Sequence, residues 1–186
     1  ASGTQELEIP TYQFVPVEEA YFDTALFIGD SRTVGLALYG RLGKADYFAD
    51  VGMSVFNLFE KSVSDNGFSA QTLEALLQSK QYQTMELMLG INEAGYPLES
   101  FGQKLGEVIA QIRTLQPNAV VILQANLGIT KAKEEKAPSL SMEQIRTINR
   151  VIANYADSQT VFYLEVNSYF ADENGYLRAS ATSDGG

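Results

Sequence analysis

Cysteine, histidine and tryptophan are all missing from this chain of 186 residues. Without cysteine there are no disulfides, no thiol nucleophile and no Cys-ligated zinc. It does not settle the compartment, because exported proteins of thiol-avoiding organisms lack cysteine too. With histidine gone as well, a transition-metal site has lost its commonest ligands. Acid–base catalysis has lost the one side chain that ordinarily titrates near neutrality. Positive charge is also scarce: 13 Lys and Arg against 23 Asp and Glu leave a net charge of −10. That speaks against nucleic acid as a partner, since phosphate binding needs a basic surface, and against docking on an anionic membrane. No apolar run approaches the ~20 residues of a membrane span, and no stretch reads as a signal peptide.

What is present reads as one domain of ordinary globular composition, 45% apolar and 19% charged, long enough to bury a core. Residues 1–23 are polar and acidic, with Pro10 and Pro16. They read as a leader or linker that ends packed on the domain through Tyr12, Phe14 and Val15. From residue 24 to residue 186, strands alternate with helices. Short apolar runs at 24–28, 47–51, 85–89, 119–123 and 160–166 predict five strands. Helical spacing predicts helices over 32–42, 69–79 with Ser69 as cap, 98–116, and 141–155, the last opened by a Ser141-x-x-Gln144 capping box. Residues 128–138 read as a charged loop and Asp172-Glu173-Asn174-Gly175 as a hairpin turn. The alternation predicts an α/β fold, a three-layer α/β/α sandwich on a five-stranded parallel sheet.

Ligands of such sheets sit beyond the C-terminal strand ends, where the strand order reverses. Three residues follow the first three strands there: Ser31, Gly52 and Asn92. Each has an ordinary reading. A serine after a strand commonly caps a helix. A glycine there supplies positive φ, and an asparagine makes a local turn bond. Each also has a chemical reading. Ser31 would be a nucleophile at a rigid turn, with the Gly52 N–H and the Asn92 amide as donors to an oxyanion. Asp184, beside two glycines, reads as a solvated turn or as the carboxylate that orients a catalytic histidine.

Taken together and in order, these residues resemble the SGNH hydrolases, the GDSL-type esterases and lipases. Gly29-Asp30-Ser31 matches their first block, and Gly52 is the candidate glycine of the second. Gly90-Ile91-Asn92-Glu93 matches the third, Gly-x-Asn-Asp, with glutamate where aspartate is usual. Asp184-Gly185-Gly186 matches the first three places of the last, Asp-x-x-His. The resemblance spans residues 24–186. It implies a flavodoxin-like SGNH fold and catalytic Ser31 and Asp184, with an oxyanion hole of Ser31, Gly52 and Asn92. The base would be a histidine just beyond Gly186. Glu93 and Asp172 are poor substitutes, because ordinary carboxyls near pKa 4 are weak bases for a serine.

The resemblance also implies no cofactor and no metal. With the polar leader, the acidic surface and the lack of a long apolar lid, it points to a small ester or acylated carbohydrate or cell-wall polymer as substrate, with acetyl as the acyl group. The family and the leader imply a secreted or cell-surface location, with a cytoplasmic one as the alternative. The rival reading is a non-catalytic carbohydrate-binding or scaffold module on the same fold, using aromatics such as Tyr39, Tyr47, Phe48, Phe56, Phe59 and Tyr96. A flavin or nucleotide binder fits poorly, since the first loop lacks a glycine-rich phosphate cradle and Arg32 is its lone basic residue.

Overall fold

The computed structural model describes residues 12, 13, 15–137 and 139–182. Five parallel strands form the main sheet: β1 (Ala25–Gly29), β2 (Asp46–Ala49), β5 (Thr84–Met88), β6 (Val120–Gln124) and β7 (Val161–Leu164). Their order is β2-β1-β5-β6-β7. The chain therefore steps outward from β1 to β2 and returns past β1 to β5. That reversal opens a crevice at the C-terminal ends of β1 and β5. The helices are α1 (Ser31–Tyr39), α2 (Leu73–Ser79), α3 (Leu98–Leu115), α4 (Lys131–Lys136), α5 (Met142–Ala153) and the short α6 (Asn167–Phe170).

The two faces of the sheet are covered unequally. On one face Leu26, Ile28, Met85, Leu87, Val121 and Leu123 join the large core beneath α2, α3 and α5. On the other, Ala25, Phe27 and Tyr47 pack with Phe22 and with Leu36 of α1, and Phe27 stacks on Tyr47 at 5.0 Å. This second face then opens into a groove of about 840 Å³, floored by Glu86, Ile122 and Phe162. Tyr12 lies at its margin, with its ring edge-on to Phe162 at 5.3 Å. The end of the leader thus packs on the domain at Tyr12 and Phe22; Val15, expected to pack, is 74% exposed, and Phe14 lies outside the described residues.

The capping box at Ser141 forms as read: its Oγ accepts from the Gln144 N–H (3.1 Å) and its own N–H donates to Gln144 Oε1 (2.7 Å). The turn at 172–175 closes a single antiparallel bridge between Ala171 and Leu177. Two expectations are corrected. The helix expected from Ser69 begins at Leu73, with Thr72 as its cap. The residues before it form an antiparallel hairpin of β3 (Ser62–Asp65) and β4 (Phe68–Thr72). Asn66-Gly67 turns it, a strong two-residue hairpin signal, and Asp65 anchors it to the Arg41 guanidinium (3.0 Å). The expected loop at 128–138 contains α4, because Thr130 Oγ1 caps it by accepting from the Lys133 N–H (3.2 Å).

Candidate active site

Gly29 at the end of β1 pairs with Ala49 of β2 on one side and Met88 of β5 on the other. Three loops therefore leave the sheet at the same level, on adjacent strands ~4.8 Å apart. They carry Ser31, Gly52 and Asn92, and all three residues are exposed. Topology brings together what the sequence spaced 21 and 40 residues apart.

The cap of α1 differs from the ordinary reading of Ser31. Asp30 is the N-cap, and its Oδ1 accepts from the Arg32 N–H at 2.9 Å. Ser31 is the first helical residue, so its hydroxyl is not committed to capping. Its N–H belongs to the first turn, where backbone donors have no intrahelical acceptor and favour negative charge. The Arg32 side chain crosses to the β6 side and donates to the Leu127 carbonyl at 3.2 Å.

Gly52 sits at φ +71° with no atom near the position a Cβ would take. The turn reading is correct, and it leaves the Gly52 N–H without an acceptor among the described residues. Asn57 clamps this loop. Its Nδ2 donates to the Gly52 carbonyl (3.1 Å), and its Oδ1 accepts from the Ser54 N–H (2.8 Å). Asn57 is not among the residues the sequence motifs single out, because a polar residue five positions past a turn glycine carries no sequence signal for the role.

Asn92 makes no local turn bond. Its Nδ2 donates to the carbonyl of Met53 at 2.8 Å, and an amide nitrogen carries two hydrogens. One ties the two loops together and the other is available to a ligand. Gly90 before it holds φ +124°, and a Cβ there would lie 2.8 Å from Ile148 Cγ2 and 3.0 Å from Asn126 Nδ2. The sequence Gly-x-Asn therefore serves close packing as well as presentation.

Glu93 turns inward. It is 2% exposed, and its Oε1 accepts from the Val55 N–H at 2.6 Å. Burial pushes its carboxyl up to about 7; the bond from Val55 opposes that and the charge of Asp30 adds to it. Asp30 is also raised by burial, against the pull of the Arg32 N–H and guanidinium. Asp184 lies outside the described residues. The segment leading toward it is held at this end of the domain, where the Leu177 N–H donates to the Ile129 carbonyl at 3.0 Å.

Of the aromatics, Tyr47 and Phe48 are core residues, whereas Tyr39 and Tyr96 are 91% and 56% exposed. Tyr96 stacks on Phe56 at 5.0 Å, joining the Asn92 and Gly52 loops a third time, after the Asn92–Met53 and Glu93–Val55 bonds. Among the described residues no group of three or more Asp and Glu side chains is placed to hold a metal ion, and no helix is long and apolar enough to cross a membrane.

Comparison with known proteins agrees with this geometry. No curated protein sequence matches the chain. Its fold is similar to a Streptococcus pneumoniae protein provisionally described as a platelet activating factor, with a TM-score of 0.67 at 21% identity over 87% of this chain and 74% of that one. It is similar to a GDSL-like lipase from Bacteroides thetaiotaomicron, with a TM-score of 0.62 at 13% identity over 88% and 78% of the two chains. It also resembles a variant of an acetyl-xylooligosaccharide esterase from Geobacillus stearothermophilus, with a TM-score of 0.52 at 16% identity over 84% and 87%. The model of the GDSL-like lipase/acylhydrolase family matches residues 27–185. With its five-stranded parallel sheet, its strand order and its Gly-Asp-Ser turn, this chain belongs to the GDSL-like lipase/acylhydrolase family.

Proposed function

We propose that this domain is a serine esterase that removes a small acyl group, acetyl in the first instance, from a carbohydrate or cell-wall polymer. The observation that carries the reading is the Asn92–Met53 bond. It ties the Asn92 loop to the Gly52 loop, whose Gly52 N–H has no acceptor among the described residues, on the sheet edge that also carries Ser31. Three donors converging where an ester carbonyl would develop negative charge form an oxyanion hole.

In this mechanism Ser31 Oγ attacks the ester carbonyl and the carbonyl oxygen becomes an oxyanion. The Ser31 N–H, the Gly52 N–H and the Asn92 amide receive that charge. A histidine at the fourth place of the Asp-x-x-His block, which would be position 187, would take the serine proton and return it to the leaving alcohol, with Asp184 holding its tautomer. Water then attacks the acyl-enzyme by the same route. Loss of such a base costs on the order of 10⁴–10⁶ in turnover. The acyl and alcohol assignments draw on the neighbouring acetyl-xylooligosaccharide esterase and on the acidic composition of the chain, with its net charge of −10.

The test is hydrolysis of p-nitrophenyl acetate and of acetylated xylo-oligosaccharides by the chain extended with histidine at position 187. Turnover that disappears in Ser31→Ala supports the proposal. Equal turnover in Ser31→Ala removes Ser31 from the mechanism. The exposed Tyr96 on Phe56 favours one rival, a sugar-binding module. Glycan binding by calorimetry without any turnover in the extended chain would select it.

A further inference from the structure

The two loops that expose Ser31 and Asn92 each bury a carboxyl directly beside the residue they present. Asp30 is 0% and Glu93 2% exposed. Each carboxyl has one oxygen satisfied by a backbone N–H, from Arg32 and from Val55. In each the other oxygen, Asp30 Oδ2 or Glu93 Oε2, is buried without a hydrogen-bond partner. The two groups also act on each other electrostatically. Two buried carboxyls, each with an oxygen that has no partner, would both have to be charged out of reach of water to ionise together at neutral pH, which burial opposes.

The surroundings decide which one keeps its charge. Asp30 has the Arg32 guanidinium and the N-terminus of α1 beside it, and both favour an anion. Glu93 is supported only by backbone amides, chiefly that of Val55 and also those of its own turn at Gly90 and Glu93, and by no cation. Residues 51–59, which donate to it, contain no titratable side chain, and neither does the rest of its own loop, 89–95, nor the β6 loop, 125–130. The side chain of α5 that reaches the Glu93 loop at Gly90 is Ile148.

We propose that Glu93 is a positioning residue that works as a neutral carboxylic acid. It fastens the Gly52 loop, at Val55, to the Asn92 loop, while Asp30 remains the anion at the start of α1. Losing the proton places a second charge in the same dry space and shifts Gly52 and Asn92 together. This rests on the reading of Gly52 and Asn92 as oxyanion donors. The upward displacement of the Glu93 carboxyl to about 7 is consistent with it. A carboxyl raised in this way stabilises the fold fully below its ordinary value near 4.5, and that stability drains away as pH rises through about 7.

The experiment is an NMR titration from pH 4 to pH 9 of the protein labelled with ¹³C-glutamate and ¹⁵N, with Glu93→Gln and Asp30→Asn alongside. Glu93 Cδ is expected to titrate near 7 and to move downward in Asp30→Asn. The Gly52 amide and the Asn92 side-chain amide are expected to shift with the same midpoint, and to stop shifting in Glu93→Gln, whose Oε1 still accepts from Val55. A Glu93 Cδ that titrates at or below 4.5 overturns the proposal, as do Gly52 and Asn92 signals indifferent to that midpoint. If either variant fails to fold, the unsubstituted protein decides, with Glu86→Gln, on the opposite sheet face, separating the other raised glutamate. None of these readouts needs turnover, so the serine-esterase reading and this one fail separately.

Discussion

The side-chain amide of Asn92 donates to the main-chain carbonyl of Met53 across 2.8 Å, and this bond joins two loops that lie 39 residues apart. It makes the two proposed oxyanion donors, Gly52 and Asn92, parts of one unit. Asn92→Ala removes one donor and unties the other. Turnover of the histidine-extended chain is expected to fall ~10²–10³-fold, with the larger loss in kcat than in KM. Steady-state kinetics on p-nitrophenyl acetate check this, and a loss confined to KM would contradict it.

Ser31 and Asp30 are expected to separate activity from stability. Ser31 is exposed and does not cap, so Ser31→Ala should abolish turnover and change stability by less than ~0.5 kcal/mol. Asp30 is the cap, and Asp30→Ala should cost about 1–2 kcal/mol. Urea denaturation of the two variants measures the difference.

Gly52→Ala meets no atom within 4 Å, so its cost comes from the backbone alone. An L-residue at φ +71° is expected to lose ~1–2 kcal/mol, and the loop that carries the N–H donor should shift. A lowered denaturation midpoint together with reduced kcat is the expected result. Gly90→Ala faces the same φ problem with a contact of 2.8 Å to Ile148 added, so it should be the more damaging of the two.

Glu86 lies on the floor of the second-face groove, and burial pushes its carboxyl up to about 7. The folded protein therefore holds a proton that the unfolded chain releases near 4.5. The stability this provides is complete below about 4.5 and is lost as pH rises through about 7. Glu86→Gln should flatten part of the fall in thermal midpoint between pH 5 and 8, and a fall as steep as in the unsubstituted protein would refute this.

The readable parts of the fold were those whose signal is local. Alternating apolar runs and capping residues placed the five main strands and the Ser141 helix within a residue or two of their observed bounds. The β3–β4 hairpin escaped because Ser62-Val63-Ser64-Asp65 is mostly polar, and its anchor, Arg41, is 24 residues away. Helix α4 escaped because a lysine- and glutamate-rich stretch has no apolar stripe, and only its Thr130 cap betrays it. The placement of Ser31, Gly52 and Asn92 on one edge of the sheet was legible because each follows a strand. Asn57 and the inward turn of Glu93 were not, because neither follows from spacing.

The order of small and polar residues after successive strands is a property of the sequence, and by itself it determined the family, the sheet and the edge on which chemistry can occur. Tertiary structure alone decided which residue caps α1 and which carbonyl holds Asn92. It also decided that a glutamate beside the oxyanion loops lies in the dry interior. Those outcomes depend on contacts between segments tens of residues apart and on how much water is left between them, and neither is encoded in any local pattern.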